Sequence, residues 1–411
     1  MIALLLIAAV AQPQPLTLER ALELAKANPH LAQAIADQRA ANARIDEARA
    51  GYFPSASASI GDSLSNSQTP QLGIGTEGGP ANLFSSSLTL DEMLWDFGRT
   101  RSAVDAARAQ ARSTATELSL AQADLALNVK TAYFSALAAE ALEKSAEETL
   151  ASTEKHLKLA QVREQVGSSP PYDVTKAKID RGNAQLALVQ AKNNVQLARA
   201  QLSHAIGQDI GEATLVAPAP STAAAPPLAQ AIETAVAHRP EIQSLDAQLA
   251  ADRANVAHAR AAYYPSLSAG AQGAIHDFGS KPQTSWSVGA TLSIPLLAGG
   301  ADRARLGEAQ ALADSLAEAR AVEVLDVRLD VQSTLVALDG ARKAAQVAHE
   351  VVAEAQEGLV LAEGRYRAGA GNIVELSDAQ AQLATAEAQA IQDDLNTAVD
   401  QAKLERSLGG G

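Results

Sequence analysis

Between residues 99 and 166 the chain carries neither glycine nor proline, and Ala, Leu, Glu, Gln and Lys dominate. An uninterrupted run of good helix formers that long predicts a helix of about 100 Å at the helical rise per residue. No compact domain holds a helix of that length. Apolar residues at heptad spacing, such as Leu120, Leu127 and Phe134, or Leu150 and Leu157, predict coiled-coil-like packing against neighbouring helices.

The run has a second copy. Residues 302–367 repeat the pattern with scattered glycines and no proline, since Pro295 is the last proline of the chain. The duplication extends to the surroundings: ARAGYFPSAS at 48–57 returns as ARAAYYPSLS at 259–268. A period near 200 residues is too long for a solenoid unit and predicts two halves of one architecture. The first half covers 12–211, the second 228–411, and an Ala/Pro-rich linker covers 212–227. Each long helix, 99–166 and 302–367, is followed by a shorter one, 171–206 and 372–408. Gly167 and Gly369 stand where a helix end favours a left-handed residue, and Pro170 and Pro171 can open the next helix. Each half therefore ends in an antiparallel helical hairpin.

Elsewhere the period changes from helical to two. Trp286, Val288, Ala290, Leu292 and Ile294 alternate with Ser287, Gly289, Thr291 and Ser293, the pattern of a strand with one apolar and one polar face. Phe84, Ser86, Leu88 and Leu90 against Ser85, Ser87, Thr89 and Asp91 repeat it more weakly. With two further segments this predicts four strands, 55–65, 83–94, 266–275 and 286–294, of the length a tilted membrane strand requires. Loops rich in Gly, Pro, Ser and Asn connect them. Six of the 13 aromatic residues, Tyr52, Phe53, Trp95, Phe97, Tyr263 and Tyr264, crowd the helix–strand junctions. In a chain that is only 3% aromatic this resembles an interfacial girdle, although packing where helices meet strands gives the same clustering.

Composition removes several function classes. A net charge of −14 argues against nucleic acid, which needs clustered Lys and Arg to replace condensed counterions. The absence of cysteine excludes disulfides, thiolate metal sites, cysteine nucleophiles and thioether lipid anchors. The histidines show no pair at metal-ligand spacing, and no G-x-S-x-G or Walker A sequence occurs. The G-x-G-x-x-G match at 73–78 is followed by Gly79 and Pro80 rather than a helix, which excludes dinucleotide binding there. No catalytic residue and no cofactor is expected. Residues 1–11 read as a signal peptide ending in Ala9-Val10-Ala11, without a basic start. No later segment supplies the roughly 20 apolar residues of a membrane helix. A membrane crossing would have to be a β-barrel, and four strands cannot close one when about eight is the minimum.

Duplicated halves, each with two short strands and a very long hairpin, resemble the TolC-like outer membrane efflux proteins over the whole chain after residue 11. The pieces that carry the resemblance are the junctions at 51–55 and 262–266, the strand exits at 94–99 and 294–300, and the second tip at 365–379. The resemblance implies a mainly α fold with a small β part. In it three chains form a 12-stranded outer-membrane barrel continued by a 12-helix periplasmic tunnel. It further implies a homotrimer in outer membrane lipid, docked onto a periplasmic adaptor (membrane fusion) protein and an inner-membrane efflux pump or ABC exporter. The tips Val166, Gly167, Ser168, Ala368, Gly369 and Ala370 match adaptor-contacting turns. Glu375 and Asp378, spaced i and i+3, share a helix face and match a carboxylate pair pointing into the periplasmic entrance. Tyr366 and Asp173 match positions that help hold it shut. Where some members have an arginine this chain has Gly371, which removes that partner for an ionic lock between chains. A periplasmic coiled-coil adaptor or scaffold is the rival expectation, since it too uses long Ala-rich hairpins.

Overall fold

The computed structural model of the protein describes residues 15–65, 81–219, 225–277 and 282–410. The segments expected as the signal peptide (1–11) and the G-x-G-x-x-G loop (73–78) lie outside them. Along the chain run α1 (Leu18–Ala25), α2 (Pro29–Arg49), a 3-10 turn (Ala50–Tyr52), β1 (Ser55–Ser65), β2 (Ala81–Trp95), α3 (Arg99–Gln165) and α4 (Pro171–Ile206). The order then repeats as α5 (Leu228–His238), α6 (Pro240–Ala261), β3 (Ser266–Asp277), β4 (Gln283–Ser293), α7 (Ala301–Ala368) and α8 (Ile373–Ser407).

Element ends differ from the sequence expectation by a few residues, for local reasons. β4 begins at Gln283 because the antiparallel ladder with β3 continues to the Gln283–His276 pair. It stops at Ser293, one residue before Ile294 and two before Pro295, which has no N–H to give a ladder. Asn372 lies outside α8 as its N-cap, its side chain accepting the Glu375 N–H at 2.8 Å.

The chain forms two compact units, and each takes segments from both sequence halves. One gathers Met1–Ile35, Glu117–Ile242 and Glu323–Gly411; the other gathers Ala36–Thr116 and Gln243–Val322. In the first unit the core is made of small apolar side chains with few large ones. Val129, Tyr133, Leu202 and Ile206 bury against Leu16, Ala21 and Ala25, and Val327 and Val331 bury against Ala231, Ala235 and Ile242. Tyr133 donates from its hydroxyl to the carbonyls of Leu16 and Val216, both at 2.7 Å. The linker is therefore not free at its start: Leu215 is buried and pairs with Leu16.

The two halves solve one local problem with different residues. Each short helix breaks before the next, and the break is fastened to the end of that half's last helix. Asn28, buried between α1 and α2, donates its amide to the Ala205 carbonyl at 2.9 Å and accepts the His30 N–H at 2.9 Å. Arg239, buried between α5 and α6, donates to the Ser407 carbonyl at 2.7 Å and pairs with Asp330. An amide and a guanidinium thus satisfy equivalent helix-end carbonyls that would otherwise be buried without partners.

The second unit carries one antiparallel sheet in the order β1-β2-β3-β4. Its register decides which residues share a face.

Candidate functional site: a two-faced sheet and paired hairpin tips

Cross-strand partners point to the same side of a sheet, so the register can be read across all four strands. Ala56 pairs with Leu90, Leu90 with Ala271, and Ala271 with Val288. The next rows on that face are Ala58, Leu88, Gly273 and Trp286, then Ile60, Ser86, Ile275 and Thr284. The opposite face carries Ser57, Thr89, Gln272 and Ser287, and Ser59, Ser87, Ala274 and Ser285. There the Ser59 and Ser87 hydroxyls hydrogen-bond at 2.8 Å. One face is thus mostly apolar and the other mostly polar. The apolar face is not packed: Trp286 is 82% exposed, Ile60 76% and Val288 74%.

A β-bulge between Met93 and Trp95 sharpens this division. By strict alternation Leu94 would oppose Leu267, but the register shifts and Trp95 takes that place, joining the apolar face. The indole then meets Phe97 edge-on, with centroids 6.0 Å apart, and Phe97 stacks on Tyr264 at 5.3 Å. Phe97 reaches this stack with φ of 52°, a left-handed backbone rare outside glycine. Tyr52, Phe53 and Tyr263 are also about half exposed or more, so none of the six junction aromatics is a core residue. Asp96 caps α3, accepting the N–H of Thr100 at 2.7 Å and of Gly98 at 3.1 Å. The outer edges of β1 and β4 have no partner strand among the described residues. Each presents a row of unpaired backbone groups.

In the other unit, the hairpin tips turn by one shared mechanism. Gly167 and Gly369 adopt φ of 71° and 75°, so that Ser168 N–H returns to the Arg163 carbonyl at 2.8 Å and Ala370 N–H to the Arg365 carbonyl at 2.9 Å. These are Schellman ends, and the left-handed residue they need is the reason for glycine. Val166, Gly167, Ser168, Ala368, Gly369 and Ala370 are all exposed.

Just behind the tips the two hairpins of one chain are joined. Tyr366, 1% exposed, donates from its hydroxyl to Asp173 at 3.0 Å. Burial, and then the hydrogen bond and charge of Asp173, push the phenol up to about 12. Glu375 and Asp378 have different surroundings although they share a helix face. Glu375 pairs with Arg365 at 3.1 Å, whereas Asp378 is exposed. Gly371 sits against this pair: a Cβ there would lie 3.1 Å from Arg365 Cβ, 3.1 Å from Glu375 Oε2 and 3.3 Å from the Tyr366 nitrogen.

Several joining residues had no sequence signal. Arg163, in the last turn of α3, donates to the carbonyls of Tyr366 and of Ser168 and lies over the Tyr366 ring. Farther along, Asp180 accepts from Lys176 at 2.6 Å and from Ser377, and His156 meets Glu363 at 3.0 Å. Ser152 donates to Gln380 and Ser145 to Glu387, both at 2.6 Å. The partners that join one hairpin to the other, Arg163 with Tyr366, Asp180 with Ser377, His156 with Glu363, Ser152 with Gln380 and Ser145 with Glu387, stand 197 to 242 residues apart in the chain, so no local pattern announces them. Among the described residues no helix is long and apolar enough to cross a membrane, and no acidic or histidine group could hold a metal ion.

Comparison with known proteins points the same way. The family model described as outer membrane efflux protein matches the chain twice, over residues 21–208 and 231–410, one match per sequence half. The pyoverdine export outer membrane protein OpmQ of Pseudomonas putida is 28% identical, over 96% of this chain and 86% of its own. Outer membrane protein OprJ of Pseudomonas aeruginosa is 28% identical, over 93% and 82%. The fold is that of the CmeC outer membrane channel of Campylobacter jejuni, with a TM-score of 0.83 at 19% identity, over 96% of this chain and 86% of that one. Two-faced sheet, duplicated hairpins and a double family match together establish that this chain belongs to the outer membrane efflux protein family.

Proposed function

We propose that three copies of this chain form a passive exit duct through the outer membrane of a Gram-negative bacterium, after removal of residues 1–11 as a signal peptide. Each copy gives four strands to a 12-stranded barrel and four long helices to a 12-helix periplasmic tunnel, so the two sequence halves become six nearly equivalent units around one tube. The observation that carries this reading is the sheet. An exposed apolar face suits lipid, a polar face suits water, and two open edges cannot remain unpaired in a bilayer. Neighbouring copies satisfy those edges. The six junction aromatics, with rings half exposed, are the girdle at headgroup level.

Exposed apolar stripes support the trimer as well. Tyr172, Ile179 and Leu186 recur every seven residues on α4, and Leu325, Leu329 and Val336 follow a similar spacing on α7, all exposed. Adjacent copies cover them. The duct does no chemistry; an inner-membrane efflux pump or ABC exporter supplies the energy through a periplasmic adaptor, which grips the exposed tips at 166–168 and 368–370. OpmQ and OprJ are themselves named as outer membrane proteins, the first for pyoverdine export.

The entrance is the ring of tips, with Glu375, Asp378, Tyr366 and Asp173 as its gate. Six carboxylates from three chains favour cations in a constriction. Asp378, exposed and with no ion-pair partner among the described residues, faces the passage, while Glu375 is held back by Arg365. The test is cation selectivity in a planar bilayer for the protein and for Glu375→Ala/Asp378→Ala. Reduced selectivity in the variant is expected, and unchanged selectivity would remove the gate assignment.

A further inference from the structure

Near the hairpin tips stand Arg163, Lys176, Lys178, Arg365 and Arg367, and their pairing separates one from the rest. Arg365 turns to Glu375 of its own hairpin at 3.1 Å, and Arg367 to Glu363 on its own helix at 2.9 Å. Lys176 is spent on Asp180 one turn away, at 2.6 Å. Lys178 makes no ion pair among the described residues and is exposed. Arg163 is the one that crosses from the first hairpin to the second.

It does so with three contacts. One guanidinium nitrogen donates to the Tyr366 carbonyl, the other donates to Ser168 of its own tip at 3.2 Å, and the central carbon lies 4.5 Å from the centre of the Tyr366 ring. A planar cation with several fixed donors can hold a carbonyl and cover an aromatic face at once, which a lysine cannot. On the far side of the ring system, the Tyr366 hydroxyl is held by Asp173 at 3.0 Å. Two residues of the first hairpin, one on α3 and one on α4, therefore grip a single side chain of the second. Gly371 offers no side chain that could form a lock toward another chain, and its site is too crowded for one to be added without displacement.

We infer that Arg163 is a positioning residue of the entrance: it latches the two hairpins of each chain together through Tyr366, so that closure is held within chains rather than by an ionic lock between them. This rests on the duct reading above. For the hairpins to part at the tip, the Arg163 contact must break.

Single-channel recording of the full-length purified protein in a planar bilayer tests it, with selectivity measured in the same traces. Arg163→Met is expected to raise the open probability about fivefold, given what a cation over an aromatic face contributes, with cation selectivity unchanged because Glu375 and Asp378 remain. Arg163→Lys, which keeps charge and volume, is expected to fall between the two and serves if the methionine variant does not assemble. Tyr366→Leu is expected to open the channel, and adding Arg163→Met to it is expected to change nothing further, since the latch acts through that ring. Closed-channel behaviour in both Arg163 variants while Tyr366→Leu opens would overturn the latch and leave the duct standing. So would independent, multiplying effects of the two substitutions. Absence of any conductance in the unaltered protein and in every variant would instead overturn the duct, and the latch with it.

Discussion

Val288 stands at the centre of β4, five residues from either end, on the face shared with Ala271, Leu90 and Ala56. Five residues at the strand rise, tilted by about 40°, place it roughly 12 Å from each end of the strand, the middle of an apolar band about 25 Å tall. Val288→Arg therefore puts a guanidinium at the depth where its cost is largest, about 2–4 kcal/mol. That lowers the folded-to-unfolded ratio by about 30- to 900-fold per chain. Ser287→Arg, one residue away, points to the polar face and should cost under about 0.5 kcal/mol. The assay is refolding into phosphatidylcholine liposomes followed by urea titration, read by the gel mobility of the folded form. Equal costs for the two substitutions, or a larger cost for Ser287→Arg, would refute the assignment of faces, because a register slip of one residue exchanges them completely.

Other outcomes follow from the helical unit. Asn28→Ala removes both a helix cap and the partner of the Ala205 carbonyl, and should cost about 2–3 kcal/mol in denaturant unfolding; a loss below about 0.5 kcal/mol would mean the clip carries no load. Tyr366 gives a pH signature. Its phenol titrates at about 12 in the folded protein against about 10 when unfolded, so its contribution is complete below pH 10 and is lost as the pH rises toward 12. Alkaline unfolding should therefore steepen in that window, and Tyr366→Phe should remove the extra slope; an identical slope in both proteins would contradict a phenol raised by burial and by its hydrogen bond to Asp173.

Much of this architecture was legible in the chain because it depends on local rules. Glycine- and proline-free runs show long helices, and alternation at 286–294 shows a two-faced strand whichever strand it meets. The bulge at Met93 and Trp95 was hidden, since it is a property of the β2–β3 register and not of either strand alone. Tyr366 and Asp173 entered only through a family resemblance, and their hydrogen bond supplies the physical content. Arg163 gave no signal: a basic residue in the last turn of a helix is explained by the helix dipole, and its partner lies 203 positions away. Asn28 and Arg239 were missed because the halves carry different residue types for the same task, which sequence matching between them conceals.

The central claim, that the open sheet of one chain is a third of a barrel, can be measured directly because the chain contains no cysteine. Ser59→Cys on β1, combined in turn with Ser285→Cys, Ser287→Cys or Gly289→Cys on β4, places one thiol on each open edge, and a disulfide forms only where the two Cβ atoms come within about 4.5 Å. After oxidation in outer-membrane vesicles, a non-reducing gel of at least one pair should show covalent dimers and trimers and nothing larger, while each single cysteine should give no trimer. A ladder that stops at two or passes beyond three would contradict the account, as would monomer alone at every β4 position of this scan.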